Sequence, residues 1–167
     1  YKNTAQPAIT YNFNIGVTYK NFDLSTIWQG VDKVAHIYDT EAYGEFVGDS
    51  SHPASIWKDA WSSTNTNAKM PRIAEARTSP SNQRNVMSTF WLSNTGYLRL
   101  KTLQVGFTFP KSILNVLGVS TLRIYYSAEN LFTIDHMKIK IDPEATSDRV
   151  SSYPLLRTHS FGVNLTF

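Results

Sequence analysis

Among the side chains able to do chemistry, Trp57 and Trp61 stand four residues apart in Pro53-Ala54-Ser55-Ile56-Trp57-Lys58-Asp59-Ala60-Trp61. On a short helix that spacing puts both rings on one face. Such a surface would stack on sugars, or it would anchor a large loop to the structure beneath it. Asp135, Asp142, Glu144 and Asp148 crowd a second stretch, and calcium favours carboxylates. The EF-hand pattern of ligands and its spaced glycine are missing, so a solvated loop is the simpler reading. His36, His52, His136 and His159 show no paired zinc spacing. Neither a metal nor a cofactor is expected. No nucleophile elbow, phosphate-binding glycine loop or HExxH pair is present, and the chain is not expected to be an enzyme.

Most of those residues lie between segments of a distinct kind; His159 falls within the last of them and is more simply a residue of that strand. Five stretches alternate apolar and polar side chains with period two, the pattern of a strand with two different faces. In the first, Ile9, Tyr11, Phe13, Ile15, Val17 and Tyr19 alternate with Thr10, Asn12, Asn14, Gly16 and Thr18. The second runs from Phe22 to about Val31, with Phe22, Leu24, Thr26 and Trp28 on one face. The third spans about Tyr97 to Phe109, the fourth about Thr121 to Phe132, and the fifth runs from about Leu156 to Phe167. A tilted strand crossing a bilayer needs roughly 9–11 residues, and the first segment has that length. The third is broken: Arg99 and Lys101 share parity with Leu103, while Leu98 and Leu100 fall opposite. A bulge would restore the pattern, and so would passage of that end beyond the lipid.

Composition agrees. Nine Tyr, nine Phe and four Trp, with no Cys, describe an aromatic-rich β protein without disulfides or thiolate metal sites. No window approaches the roughly 20 apolar residues of a membrane helix. The formal charge of +3 is small and its basic residues are scattered, which gives no support to nucleic-acid binding.

The connections are unequal. Lys20-Asn21 and Pro110 to Ser120 are short, the latter predicting a helical turn between Pro110 and Gly118. The stretches from about Asp32 to Gly96 and from about Thr133 to Leu155 are long. Short turns on one side and long loops on the other are the habit of outer-membrane β-barrels. With the C-terminus periplasmic, both short turns fall on the periplasmic side and the long loops are extracellular. Tyr19, Phe22, Phe109 and Phe167 then lie together at the periplasmic ends as interfacial aromatics. Tyr11, Trp28, Tyr97 and Phe132 are candidates at the opposite level. Five strands cannot close a barrel, since small bacterial ones use about eight. Residues 1–167 are therefore expected to be the C-terminal portion of a larger barrel domain, with long loops and one short helix.

The ordered motifs carry a family resemblance. Tyr97-Leu98-Arg99-Leu100-Lys101-Thr102-Leu103-Gln104-Val105-Gly106-Phe107-Thr108-Phe109-Pro110 resembles the penultimate hairpin region of SusC/RagA-like TonB-linked outer-membrane transporters. Ser127-Ala128-Glu129-Asn130-Leu131-Phe132-Thr133, Asp142-Pro143-Glu144, and Tyr153-Pro154 followed by Arg157 through Phe167 resemble the next strand end, its loop and the closing strand. Tyr19-Lys20-Asn21-Phe22-Asp23-Leu24 and the stretch from Trp61 to Pro71-Arg72 are similar as well.

The resemblance implies a large barrel with an N-terminal plug, importing glycans or oligopeptides under a SusD-like lipoprotein lid and powered by TonB. Trp57 and Trp61 then become candidates for substrate or lid contact. Arg123 and Glu129, on the polar parity of their strand, would line the transport path or pair within the wall. Phe161 and Phe167 resemble the terminal signal read by the outer-membrane assembly machinery. A secreted β-sandwich that binds carbohydrate is the alternative from another class. It predicts shorter strands and more even loops. A small non-transporting barrel or adhesin is a third reading.

Overall fold

The structure, a computed structural model, describes residues 6–37, 55–73, 89–137, 141–144 and 153–167. His52 and Asp148 lie outside the described residues. The chain divides into two units, one built from residues 7–33, 96–135 and 155–167, the other from the intervening segments.

The first unit is a sheet of five strands: β1 (Ile9–Tyr19), β2 (Phe22–Asp32), β5 (Tyr97–Thr108), β6 (Thr121–Asp135) and β7 (Thr158–Thr166). Their order is β1-β2-β5-β6-β7, and every neighbouring pair is antiparallel. All five alternating segments of the sequence are therefore strands. The β1–β2 turn is as tight as expected. Tyr19 pairs with Phe22, and Lys20 takes the positive φ of 54° that two-residue hairpins demand. Asn21 fastens this turn to the end of β5, its amide donating to the Thr108 carbonyl at 2.8 Å.

Register decides which side chains share a face. Phe13, Trp28, Leu100 and Phe132 form one row across four strands, and Val17, Leu24, Val105, Tyr126 and Phe161 form another across all five. These rows belong to an apolar face. The opposite face carries rows such as Ser25, Gln104, Ser127 and Ser160.

The parity conflict within the third segment is resolved by a bulge. Ile27 pairs with Thr102 and Trp28 with Leu100, so Lys101 is the extra residue on β5. On the other side of β5 the register also shifts at this point, between Leu100–Phe132 and Thr102–Glu129. Asn130, beside the shift, has a φ of 52°, a conformation to which Asn is better suited than most residues. The bulge returns Leu98 and Leu100 to the apolar face. It also moves Tyr97 to the polar face, as partner of Val31 and Asp135. Tyr97 lies at the level of Tyr11, whose hydroxyl donates to the Tyr97 carbonyl at 3.3 Å, but on the opposite face from Trp28 and Phe132; Phe13 stands beside Trp28.

The short join after β5 is helix α1 (Lys111–Leu117), entered through Pro110 and closed by Gly118 at φ 67°. Proline suits a helix start and glycine the left-handed position past its end. Open space surrounds a Cβ built at Gly118, so alanine there meets backbone strain alone. Gly118→Ala is expected to cost about 1–2 kcal/mol, measured as a lowered midpoint of denaturant unfolding of the full-length protein in lipid vesicles.

The apolar face of the sheet is exposed rather than packed. Phe13, Ile15, Val17, Leu24, Ile124 and Val163 all remain accessible, where a β-sandwich would bury them under a second sheet. The sandwich alternative is not met. Among the described residues no helix is long and apolar enough to cross a membrane, which says nothing of strands.

The second unit has its own small core. Trp57, Met70, Trp91 and Met137 are buried together, with Ile37, Ile56, Ala60 and Ile141 packed around them. Two three-residue strands, β3 (Ala35–Ile37) and β4 (Leu92–Asn94), pair antiparallel. A 3-10 helix at Ser55–Asp59 precedes a turn that returns at Met70, where Trp61 N–H donates to the Met70 carbonyl and Met70 N–H to that of Asp59.

Candidate functional site

The polar face of the sheet is organised by a pairing that spans three strands. Arg123 on β6 reaches over β5 to Asp23 on β2, with Nε donating to Oδ1 at 3.1 Å and Nη2 to Oδ2 at 2.6 Å. This fork-on-carboxylate geometry is the most directional ion pair available to side chains. It needs clear space over the intervening strand, and Gly106 supplies it. A Cβ at Gly106 would collide with the guanidinium and the carboxylate. The guanidinium also lies over the Tyr125 ring, 5.2 Å from its centroid. Tyr125 in turn covers Gly162 on β7. Asp23, Arg123 and Tyr125 thus form a strap from β2 to β7 along the polar face.

Gly106→Val is expected to open this pair and destabilise the wall by about 1–3 kcal/mol, the usual cost of forcing volume into a filled space. Adding Asp23→Asn to that variant is expected to cost little more, because coupled residues are not additive. Vesicle unfolding of the single and double variants measures both effects.

Farther along the same face Arg99 is 2% exposed. Its Nε donates to Thr133 Oγ1 at 2.7 Å, and its guanidinium lies 5.3 Å from the Tyr97 ring centroid. Sequence parity had placed Arg99 with Leu103; the bulge places it opposite. Glu129 is on the polar face between Thr102 and Thr158. Arg123 and Glu129 therefore share a face, and Arg123 is engaged within the wall.

The apolar face carries two aromatic groups. Phe13 stacks on Trp28 at 5.7 Å, and Trp28 meets Phe132 edge-on at 5.5 Å. At the other end Phe22 lies 4.7 Å from Phe107, which is 5.1 Å from Phe109. Tyr19 pairs with Phe22 at this end, and the β7 terminus reaches it through the Ser120 N–H to Thr166 carbonyl bond of 2.7 Å. Both short connections and the end of β7 thus share one edge of the wall. Phe161 and Phe167 are 85% and 86% exposed, with Phe161 against Tyr126 at 5.2 Å.

The two tryptophans of the long loop separate. Trp57 is 2% exposed in the core of the loop unit, its ring 6.2 Å from that of Trp91. Trp61 is 43% exposed. The 3-10 helix ends at Asp59, so the expected common helical face does not exist, and Trp57 is an anchor of the loop. Phe90 and Trp91, which no motif or spacing singles out, lie edge-on at 4.8 Å beside a cavity of about 510 Å³. Among the described residues no group of three His, Asp or Glu side chains is placed to hold a metal ion.

No protein-family model matches the chain. Sequence comparison finds two TonB-dependent receptors of Formosa agariphila. Receptor P3 is 30% identical over 174 residues, covering 96% of this chain and 16% of that protein. Receptor P26 is 24% identical over 177 residues, covering 96% and 17%. The chain thus spans about a sixth of the length of these relatives. Among solved structures, the RagAB peptide importer in its open-open state matches with a TM-score of 0.72 and 26% identity over 99% of this chain and 18% of that one. The closed-closed state matches with 0.73 and 25% over 100% and 18%.

Proposed function

We propose, from the premise that this chain is a barrel segment of the SusC/RagA-like TonB-dependent receptor kind, that it forms wall and extracellular loops of an outer-membrane importer of nutrient oligomers. The observation that carries the reading is the two-faced sheet. Its apolar, aromatic-banded face is left unpacked, and its polar face is cross-linked by Asp23 and Arg123. Lipid against the first and an aqueous, plug-filled lumen against the second satisfy both faces. β1 and β7 are the outer strands of the sheet. In lipid their unpaired backbone groups would each cost several kcal/mol, so further strands of the full-length protein complete the wall.

The RagAB structures are described as a peptide importer. By analogy this receptor works with a SusD-like surface lipoprotein and draws energy from TonB. Its cargo is an oligosaccharide or oligopeptide. Phe161 and Phe167 serve the assembly machinery, and Trp61 is the tryptophan placed to meet cargo or lid.

Energised cells carrying the full-length protein are expected to accumulate fluorescent oligomers, and to stop when the proton-motive force is collapsed. Recovery of the protein in the soluble fraction, or uptake indifferent to energy, would overturn the reading. Orientation is tested by cysteine labelling, since this chain has no Cys of its own. A cysteine at Thr64 is expected to react with an impermeant maleimide on intact cells. One at Asn115, in α1, is expected to react only after the outer membrane is permeabilised.

A further inference from the structure

We infer that the cavity in the loop unit is a recognition pocket for a peptide segment bearing a carboxylate beside an apolar side chain. The inference deepens the import reading and rests on it for the source of the ligand. The cavity measures about 510 Å³, within the range of roughly 300–1,000 Å³ usual for ligand sites. Ile56, Met70, Phe90 and Trp91 give it mainly apolar walls. Those walls belong to a packed core, because Met70 and Trp91 are buried with Trp57. The pocket is thus a fixed concavity with an aromatic edge.

Its charges are unbalanced. Lys58, Lys69 and Asp59 all line it. Asp59 is already committed: Oδ1 accepts from Asn65 Nδ2 at 3.1 Å and Oδ2 from the Lys69 N–H at 3.3 Å. It holds the turn that carries Lys69 to the cavity that Lys58 also lines. Among the described residues neither ammonium forms an ion pair. Among the described residues the mouth carries two cations and one engaged carboxylate, a positive balance that selects an anion.

The walls then decide which anion. A sugar carries a hydroxyl on nearly every carbon and loses hydrogen bonds to water on entering an apolar site. Among the described lining residues Ser55 offers the one hydroxyl, too little to replace them. An aliphatic or aromatic side chain needs no such partner, and its burial is favourable in proportion to its apolar area. A neighbouring glutamate, aspartate or terminal carboxylate would sit at the lysines.

The test is titration calorimetry on the full-length protein in detergent, with a hexapeptide alternating Glu and Leu as probe. The same peptide with Gln for Glu and an oligomer of a uronic acid serve as comparisons. The acidic peptide is expected to bind at least tenfold tighter than either, with an advantage that shrinks as salt is raised. Lys58→Glu with Lys69→Glu is expected to abolish that advantage while leaving the Gln peptide's affinity in place, which also certifies the fold. Phe90→Ala is expected to weaken both peptides alike. Unchanged acidic-peptide binding in the double variant would overturn the pocket, as would equal binding of the uronic-acid oligomer. Uptake is scored separately. A receptor that transports but ignores the charge reversal sinks the pocket alone; one that binds the peptide but accumulates no cargo sinks the import reading alone.

Discussion

Arginine at Val105 is expected to destabilise the folded protein by about 2–4 kcal/mol, the cost found for a cation on the lipid face near the bilayer midplane. Val105 lies in the row of Val17, Leu24, Tyr126 and Phe161. That row falls between the aromatic group around Phe22 and Phe107 and the one around Trp28 and Phe132. Its neighbour Gln104 points to the other face, in a row with Ser25, Ser127 and Ser160. Gln104→Arg is expected to change stability by less than about 0.5 kcal/mol, as substitutions at watered sites usually do. The pair of variants differs by one position along one strand, so strand propensity and refolding chemistry cancel in the comparison. Unfolding in phospholipid vesicles measures both. Equal effects at the two positions would mean that the apolar face does not meet lipid.

Much of this architecture was legible because a strand exposes its two environments at period two. Ile9 to Tyr19 alternates without a fault, and the strand occupies those residues. The hairpin at Lys20-Asn21 and the helix between Pro110 and Gly118 were equally readable, since turn chemistry is local. What escaped is non-local. Parity revealed a fault near Lys101 but not its nature, because a bulge is defined by what the partner strands do at Trp28 and Phe132. Asp23 and Arg123 stand 100 residues apart, and only the sheet order brings them together. The strands β3 and β4 have three residues each, too few to show a period. The shared face expected of Trp57 and Trp61 is absent for another reason. The spacing of four is informative only on an α-helix, and here a 3-10 helix of five residues gives way to a turn.

The bulge itself predicts the largest single-residue effect. On a regular β5, Leu100 would project with Arg99's neighbours into the polar lumen, and its truncation would matter little. With Lys101 bulged, Leu100 instead faces the apolar side between Trp28 and Phe132. Those two rings come from the strands flanking β5 and meet at 5.5 Å, so they close over it. Leu100 is accordingly 4% exposed on a face where most side chains are open. Leu100→Ala is expected to cost about 2–5 kcal/mol, toward the upper part of that range because two aromatic rings lose the group they rest on and a bulged backbone relaxes poorly. Removing Lys101 altogether is expected to be milder than Leu100→Ala on the β2 side, where Ile27 and Trp28 already pair with Thr102 and Leu100 as consecutive positions. Its strain falls instead on β6, which would have Asn130 and Leu131 in excess opposite a now regular strand. Vesicle unfolding of the two variants, with Trp28 fluorescence as the local signal, tests this: a silent Leu100→Ala would place the fault elsewhere in the strand.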